Sequence, residues 1–414
     1  MATARVETRR RPAAAPRIKS IRQAGLAASV IQRGSVTRVA ASVLPTGGGS
    51  IREQTQEVLR TLRAAFHDQP GSPGVAAQTV FLRHPADQAA CEQLSTEFYS
   101  GQPPVTTFVN QPPCGAAALA VEAWGVGGEA VHITRPHPQI LVAAYDELIW
   151  VYCGGIGPHQ PGGVYDQARA CLEQSRALLA NANAGFERVV RTWFYLSDIT
   201  GPVGPVERYM ELNRARADFY QAIPFEREQP VHGQPRAVYP ASTGVGMAGT
   251  GLTMQCLALD TQRPDVLLVP LENPQQTPSY QYPPVYSPES PRFTRAMAAV
   301  IGAELTIWVS GTASILASET HHAGDARRQI EQTIENIERL IGPENLTRHG
   351  LSGAGARLGD LAQVHVYLRR AADYPVCRAL CEQRFGDVPI LYTVAEVCRS
   401  NLLVEMEGVA YVGR

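Results

Sequence analysis

The chain has 414 residues, of which 44% are hydrophobic and 18% charged, and its formal net charge is −1. So balanced a charge gives no reason to expect nucleic acid or an anionic membrane as partner, while the apolar content is enough for two or three ordinary domains. Eight cysteines are scattered without CxxC pairs, which reads as reduced thiols packed as small hydrophobes rather than a zinc site, and no metal or cofactor is expected.

Residues 1–52 hold nine arginines and Lys19 against a single acid, Glu7. Lys19 is the only lysine of the chain, so the arginine bias is global, and a flexible leader over 1–20 is expected in preference to a transit peptide. No apolar run approaches the roughly 18 residues that span a bilayer. The expectation is a soluble, cytoplasmic protein.

Beyond the leader the chain repeats itself. In the first third a strand is expected at 39–44, a glycine turn at 47–49, a helix at 51–66, a strand at 79–82, a helix at 86–99 and a hairpin over 105–124. The middle third gives a strand at 148–153, a turn at Gly162 and Gly163, a helix at 164–179, a strand at 189–196, a helix at 206–221 and a hairpin over 237–259. The last third runs the same way: a strand at 305–310, a helix at 325–341, a strand at 364–368, a helix through Cys377 and Cys381, and a hairpin over 389–411. In the 325–341 helix Ile330, Ile334, Ile337 and Ile341 form one buried stripe.

The frame is an α+β chain of three tandem β-α-β-α-β-β modules, with boundaries at 21–145, 146–262 and 263–414. A sheet with helices on one face must bury its other face, and three copies can do so on one another as a pseudo-trimer within a monomer. Ligand pockets then fall at the seams. The closing segments LAVEAW, LTMQCL and LLVEME place Glu122, Gln255 and Glu405 in register.

Within the last strand, alternation puts Glu405 and Glu407 on one face. An ionised glutamate in so apolar a strand must be solvated, paired or functional, and an edge strand with solvated glutamates is the ordinary outcome. Arg295 and Arg399 would ordinarily be surface arginines, Tyr282 and Tyr286 part of a proline-rich linker, and Cys398 a small packed hydrophobe. His321 and His322 point opposite ways on an extended chain, which fits a turn before a helix capped by Asp325 better than a metal site.

Single modules with SG at the end of the first strand and a glutamate near the end of the last resemble the reactive-intermediate deaminase superfamily, whose members are trimers of one module. A longer set is more specific. SGTASI at 310–315, ETHHAGD at 319–325, FTRA at 293–296, QPP at 111–113, PASTG at 240–244 and CRSNLLVE at 398–405 together resemble the chorismatases. The resemblance implies cleavage of chorismate with release of pyruvate and formation of 3-hydroxybenzoate; the alternatives are hydrolysis to the dihydrodiol, a share of 4-hydroxybenzoate, or a non-catalytic sensor on the same fold.

It also implies roles. Protonating an enol ether needs a positioned carboxylic acid in a water-poor pocket, for which Glu405 is the candidate, with Glu407 raising its proton affinity and Glu122 as a rival at another seam. Arg295 is implied as the partner of a substrate carboxylate, with Arg399 a second choice and Tyr282 and Tyr286 pointing into the pocket. Gly311 and Cys398 stand where the benzoate-forming members carry glycine and cysteine, and the thiol is implied as a proton shuttle. Where the trimeric deaminases carry an arginine shortly after the proline that opens the hairpin, Pro389 is followed here by Ile390, Leu391 and Tyr392, which argues against imine deamination.

Overall fold

The structure is a computed structural model that describes residues 16–158, 160–228 and 236–413. Most of the expected leader, residues 1–15, lies outside the described residues. From Arg17 onward the chain is already a strand.

Three sheets of six strands follow one another. The first contains β1 (Arg17–Gln23), β2 (Leu26–Arg33), β3 (Val36–Val43), β4 (Gly74–Leu82), β5 (Val105–Val109) and β6 (Leu119–Gly127), with helices α1 (Ile51–His67) and α2 (Gln88–Phe98). The second contains β7 (His132–His137), β8 (Ile140–Tyr145), β9 (Leu148–Ile156), β10 (Val189–Ser197), β11 (Ala241–Met247) and β12 (Leu252–Thr261), with α3 (Val164–Asn181) and α4 (Arg208–Tyr220). The third contains β13 (Val266–Leu271), β14 (Ala296–Ile301), β15 (Glu304–Ala313), β16 (Leu361–Leu368), β17 (Ile390–Val394) and β18 (Val404–Gly413), with α5 (Ala326–Ile341), α6 (Pro343–Arg348) and α7 (Tyr374–Phe385). The strand order across the first sheet is β1-β2-β3-β6-β4-β5, and the other two repeat it.

The repeated elements fall where the sequence pattern put them, with two corrections. Each unit opens on three strands instead of one, because an antiparallel hairpin precedes the first helix: β2 with β3, β8 with β9, β14 with β15. The β8–β9 turn places Asp146 and Glu147 both at positive φ, 51° and 61°, as a tight type I′ connection requires, and neither residue announces it as Asn-Gly would. The expected boundary at 145/146 therefore falls inside that turn, and residues 132–145 pair in the second sheet.

The second correction concerns the closing hairpins, which do not form. β16 lies between β17 and β18, parallel to the first and antiparallel to the second, and the other two sheets are built likewise. β18 is thus an interior strand, not an edge, and its glutamates have no solvated face to occupy. Pairing also changes the register of the repeats. Opposite β4, β10 and β16, the residues Leu119, Leu252 and Val404 stand at matching positions, so Glu407, not Glu405, matches Glu122 and Gln255. Glu405 stands where the other copies have Ala120 and Thr253.

Helices cover one face of each sheet and enclose a separate core there. In the third sheet the isoleucine stripe of α5 is buried as its spacing requires, and Asp325 caps the helix by accepting the Arg328 amide at 3.0 Å. The opposite faces share one cluster, which includes Val126 and Ile31 of the first sheet, Trp150 and Leu257 of the second, and Met297 and Trp308 of the third. Beside it is a cavity of about 90 Å³ lined by all four tryptophans, Trp124, Trp150, Trp193 and Trp308. Three contacts ring it: His365 Nδ1 to Glu122 Oε2 at 3.1 Å, Trp193 Nε1 to Glu407 Oε1 at 2.8 Å, and Thr79 Oγ1 to Gln255 Oε1 at 3.2 Å. Each joins the same strand position of one sheet to the same position of the next.

Candidate active site

A pocket of about 370 Å³ opens between the second and third sheets. It gathers seven of the residues singled out in the sequence: Glu405, Cys398, Gly311, Arg295, Arg399, Tyr282 and Tyr286. Their sequence separations are large because the third sheet contributes a central strand, a bulge and two loops, while the second contributes α4 and the start of β11.

Glu405 forms the floor. It is 4% exposed, and burial, followed by the charge of Glu407, pushes its carboxyl up to about 8 against the opposing pull of Arg191 and Arg295. At neutral pH it holds its proton. Cys398 Sγ lies 3.9 Å from Glu405 Oε2, and burial, with the Glu405 charge second, pushes the thiol up to about 12. Gly311 packs on the other side of the acid, where any Cβ would collide with Glu405 Oε1. Glycine is required there for space, since it is not one of the positive-φ positions. Glu407 lines the central cavity instead of this pocket and is held by Arg191 Nη2 at 2.6 Å, Trp193 Nε1 and Thr243 Oγ1.

The wall opposite the acid is cationic and aromatic. Arg295 is buried; its Nη2 donates to Tyr282 Oη at 2.5 Å and to the Thr277 carbonyl at 3.0 Å, and its Nε has no hydrogen-bond partner among the described residues. Tyr282 and Tyr286 stand 5.9 Å apart between ring centroids, and the Arg399 guanidinium stacks 4.3 Å from the Tyr286 centroid while donating to the Ser318 carbonyl. Arg399 is thus braced by its neighbours at the aromatic side of the pocket.

Three residues that the sequence reading passed over also line this pocket. Arg216 on α4 is 2% exposed; it donates to Ser242 Oγ at 3.2 Å and Asn213 Oδ1 at 2.8 Å, and its Nε is buried with no partner among the described residues. Tyr209 lies one turn before Asn213, its phenol raised by burial. The available signal was a helix whose inward face carries Asn213 and Arg216 among Leu212, Ala215 and Phe219, since polar groups persist on a buried face only where something there engages them.

Glu122, the rival acid, lines the central cavity instead of this pocket. It is partly buried, desolvation raises its proton affinity, and His365 occupies one of its oxygens. His321 and His322 do not line the pocket. Cys377 and Cys381 lie 3.9 Å apart inside the helix-side core of the third sheet.

One stretch of 113 residues is 30% identical to the 3-aminoacrylate deaminase RutC of Acinetobacter baylyi, covering 27% of this chain and 82% of that protein, which fits one unit of the three. Residues 122–258 match the family described as "Chorismatase FkbO/Hyg5-like, N-terminal". The 3-hydroxybenzoate synthase of Streptomyces hygroscopicus is 37% identical over 295 residues, 70% of this chain and 80% of that protein. A chorismatase of Streptomyces rapamycinicus is 33% identical over 291 residues, 68% of this chain and 81% of that one. A solved crystal structure of a chorismatase superposes with a TM-score of 0.63 at 26% identity, covering 81% of this chain and 92% of the other. The chain belongs to the chorismatase family.

Proposed function

We propose that the protein cleaves chorismate into pyruvate and 3-hydroxybenzoate, and that its three sheets form a pseudo-trimer around the tryptophan-lined cavity, acting as a monomer in the cytoplasm. The three cyclic contacts between matching strand positions support the arrangement. No helix of the described residues is long and apolar enough to cross a membrane, and all eight cysteines are free, in keeping with a reducing compartment.

The observation that carries the reaction is a buried carboxylic acid, protonated at neutral pH, facing guanidinium groups with unspent donors. Chorismate bears two carboxylates, for which Arg295 and Arg216 are the partners, with Tyr282 and Tyr286 packing along the ring and Arg399 at the aromatic wall. Glu405 gives its proton to the methylene carbon of the enolpyruvyl ether, forming an oxocarbenium ion. The ring hydroxyl oxygen then bonds to the carbon that bore the ether, and that carbon–oxygen bond breaks to release pyruvate. The hydroxyl proton returns to the Glu405 carboxylate. Opening of the resulting arene-oxide-like ring and loss of the ring proton give the aromatic phenol, with the Cys398 thiol, protonated and beside Glu405, as the shuttle. No water is consumed, and the two products together have the atoms of the substrate.

Incubating the purified protein with chorismate and following pyruvate and aromatic acids by chromatography tests this. Equal amounts of pyruvate and 3-hydroxybenzoate are expected. Unconsumed chorismate would leave a binding protein on the same fold, and the dihydrodiol as sole product would remove the benzoate assignment.

A further inference from the structure

The floor of the pocket is held from the neighbouring sheet. β15 and β18 lose register between Val309 and Thr312, so Ser310 and Gly311 stand in a bulge outside the ladder. Two successive residues of β11 grip that bulge. The Ser242 amide donates to Ser310 Oγ at 2.8 Å, which in turn donates to the Thr294 carbonyl at 2.6 Å. The Gly311 amide donates to Thr243 Oγ1 at 2.9 Å. The SG and PASTG motifs, almost seventy residues apart in the chain, are therefore the two halves of one contact.

The Thr243 hydroxyl is fully committed. Besides accepting from Gly311 it accepts from Arg191 Nη2 at 2.5 Å, and it donates to Glu407 Oε2. Two acceptances and one donation exhaust what a hydroxyl can do, so this oxygen has one orientation. It is 1% exposed. On its far side the bulge meets Glu405 with no room for a methyl group.

We propose that Thr243 is a positioning residue for the acid: its hydroxyl anchors the Gly311 bulge against Glu405 and ties it to the Arg191–Glu407 ion pair of the adjoining seam. It touches no substrate and acts through Gly311. The proposal rests on the reading of Glu405 as the acid. A purely structural threonine would fill the same space with valine, which has the same shape. The anchor needs the oxygen.

The test compares Thr243→Val with Thr243→Ser in the full-length protein, with Thr243→Ala as the oxygen-free variant should valine fail to fold. Turnover of chorismate is expected to fall by about 10- to 100-fold in the valine variant with KM changed by less than about threefold, and serine is expected to restore turnover to within about threefold of the wild type. A second readout needs no substrate: hydrogen exchange of the Gly311 amide, followed on the peptide that contains it, speeds up in the valine variant and returns to the wild-type rate with serine. Wild-type turnover in the valine variant, a serine variant as impaired as valine, or an unchanged Gly311 exchange rate would overturn the proposal. Failure of the wild type itself to consume chorismate would instead overturn the proposed reaction, and the exchange measurement would still decide whether the anchor exists.

Discussion

Glu405 and Glu122 sit on corresponding long strands of two sheets built to one plan; the first is buried and the second partly so, and desolvation raises the proton affinity of both. They differ in what faces them. Glu122 looks into a narrow cavity walled by tryptophans, and one of its oxygens is taken by His365. Glu405 looks into a space four times larger, which Arg295 and Arg216 also line, each with a buried Nε that has no partner among the described residues. A raised proton affinity alone does not make an acid catalyst. It needs room for a substrate and cations not already spent on the protein's own carboxylates.

The strongest test of that contrast is the pair Glu405→Gln and Glu122→Gln. Glutamine keeps shape and hydrogen bonding but has no proton to give to carbon, so turnover in Glu405→Gln is expected to fall by about 10² to 10⁴-fold with substrate still bound. In Glu122→Gln it should stay within about threefold of wild type. Equal losses in steady-state assays of the two variants would erase the distinction between the seams.

Gly311→Ala probes the space around the acid. Its Cβ would overlap Glu405 Oε1 and lie 3.3 Å from Thr243 Cγ2, so the carboxyl must move, and a loss of about 10²-fold in kcat is expected. A variant with unaltered kcat would show that the acid has more freedom than the packing allows.

The pH response should be smaller and carry a definite sign. The Glu405 carboxyl is neutral below about 8 in the folded chain, so kcat/KM for chorismate should fall as pH rises through that value. Stability follows by linkage. Between the unfolded carboxyl's value of about 4.3 and 8 the folded chain binds a proton that the unfolded chain does not, so this group's contribution to stability declines across that window as pH rises. The difference in melting temperature between Glu405→Gln and the wild type should therefore grow in favour of glutamine from pH 5 to pH 9, and a constant difference would refute it.

The smallest effect is expected at Cys398. Its thiol lies beside the acid but is not the proton donor to carbon, so Cys398→Ala should still release pyruvate while yielding less 3-hydroxybenzoate and more dihydrodiol or 4-hydroxybenzoate. An unchanged product ratio on chromatography would remove the cysteine from the reaction.

Sequence alone determined the repeated order of elements and the helices, because those rest on local signals such as the isoleucine stripe of α5 and the glycine turns, whereas Arg295, Arg399, Tyr282, Tyr286 and Cys398 stood out only through the motifs of a family resemblance. Strand pairing was not legible in the same way. The residues 389–411 read as a hairpin since two apolar runs flank a polar turn, but which strands pair is decided by β16 inserting between them, a contact with a segment more than twenty residues upstream. That insertion buried both glutamates of β18 and moved the repeat register by two, so that Glu407 joined Glu122 and Gln255 at the central cavity and Glu405 was left as an acid without counterpart in the other two sheets. Arg216 on α4 and Thr243 on β11 belong to the second unit, while Glu405 belongs to the third. Only the packing of one sheet against the next brings a buried guanidinium and a saturated hydroxyl to Glu405, since hydrogen bonds of this kind depend on distance in space and leave no trace in the spacing of residues along the chain.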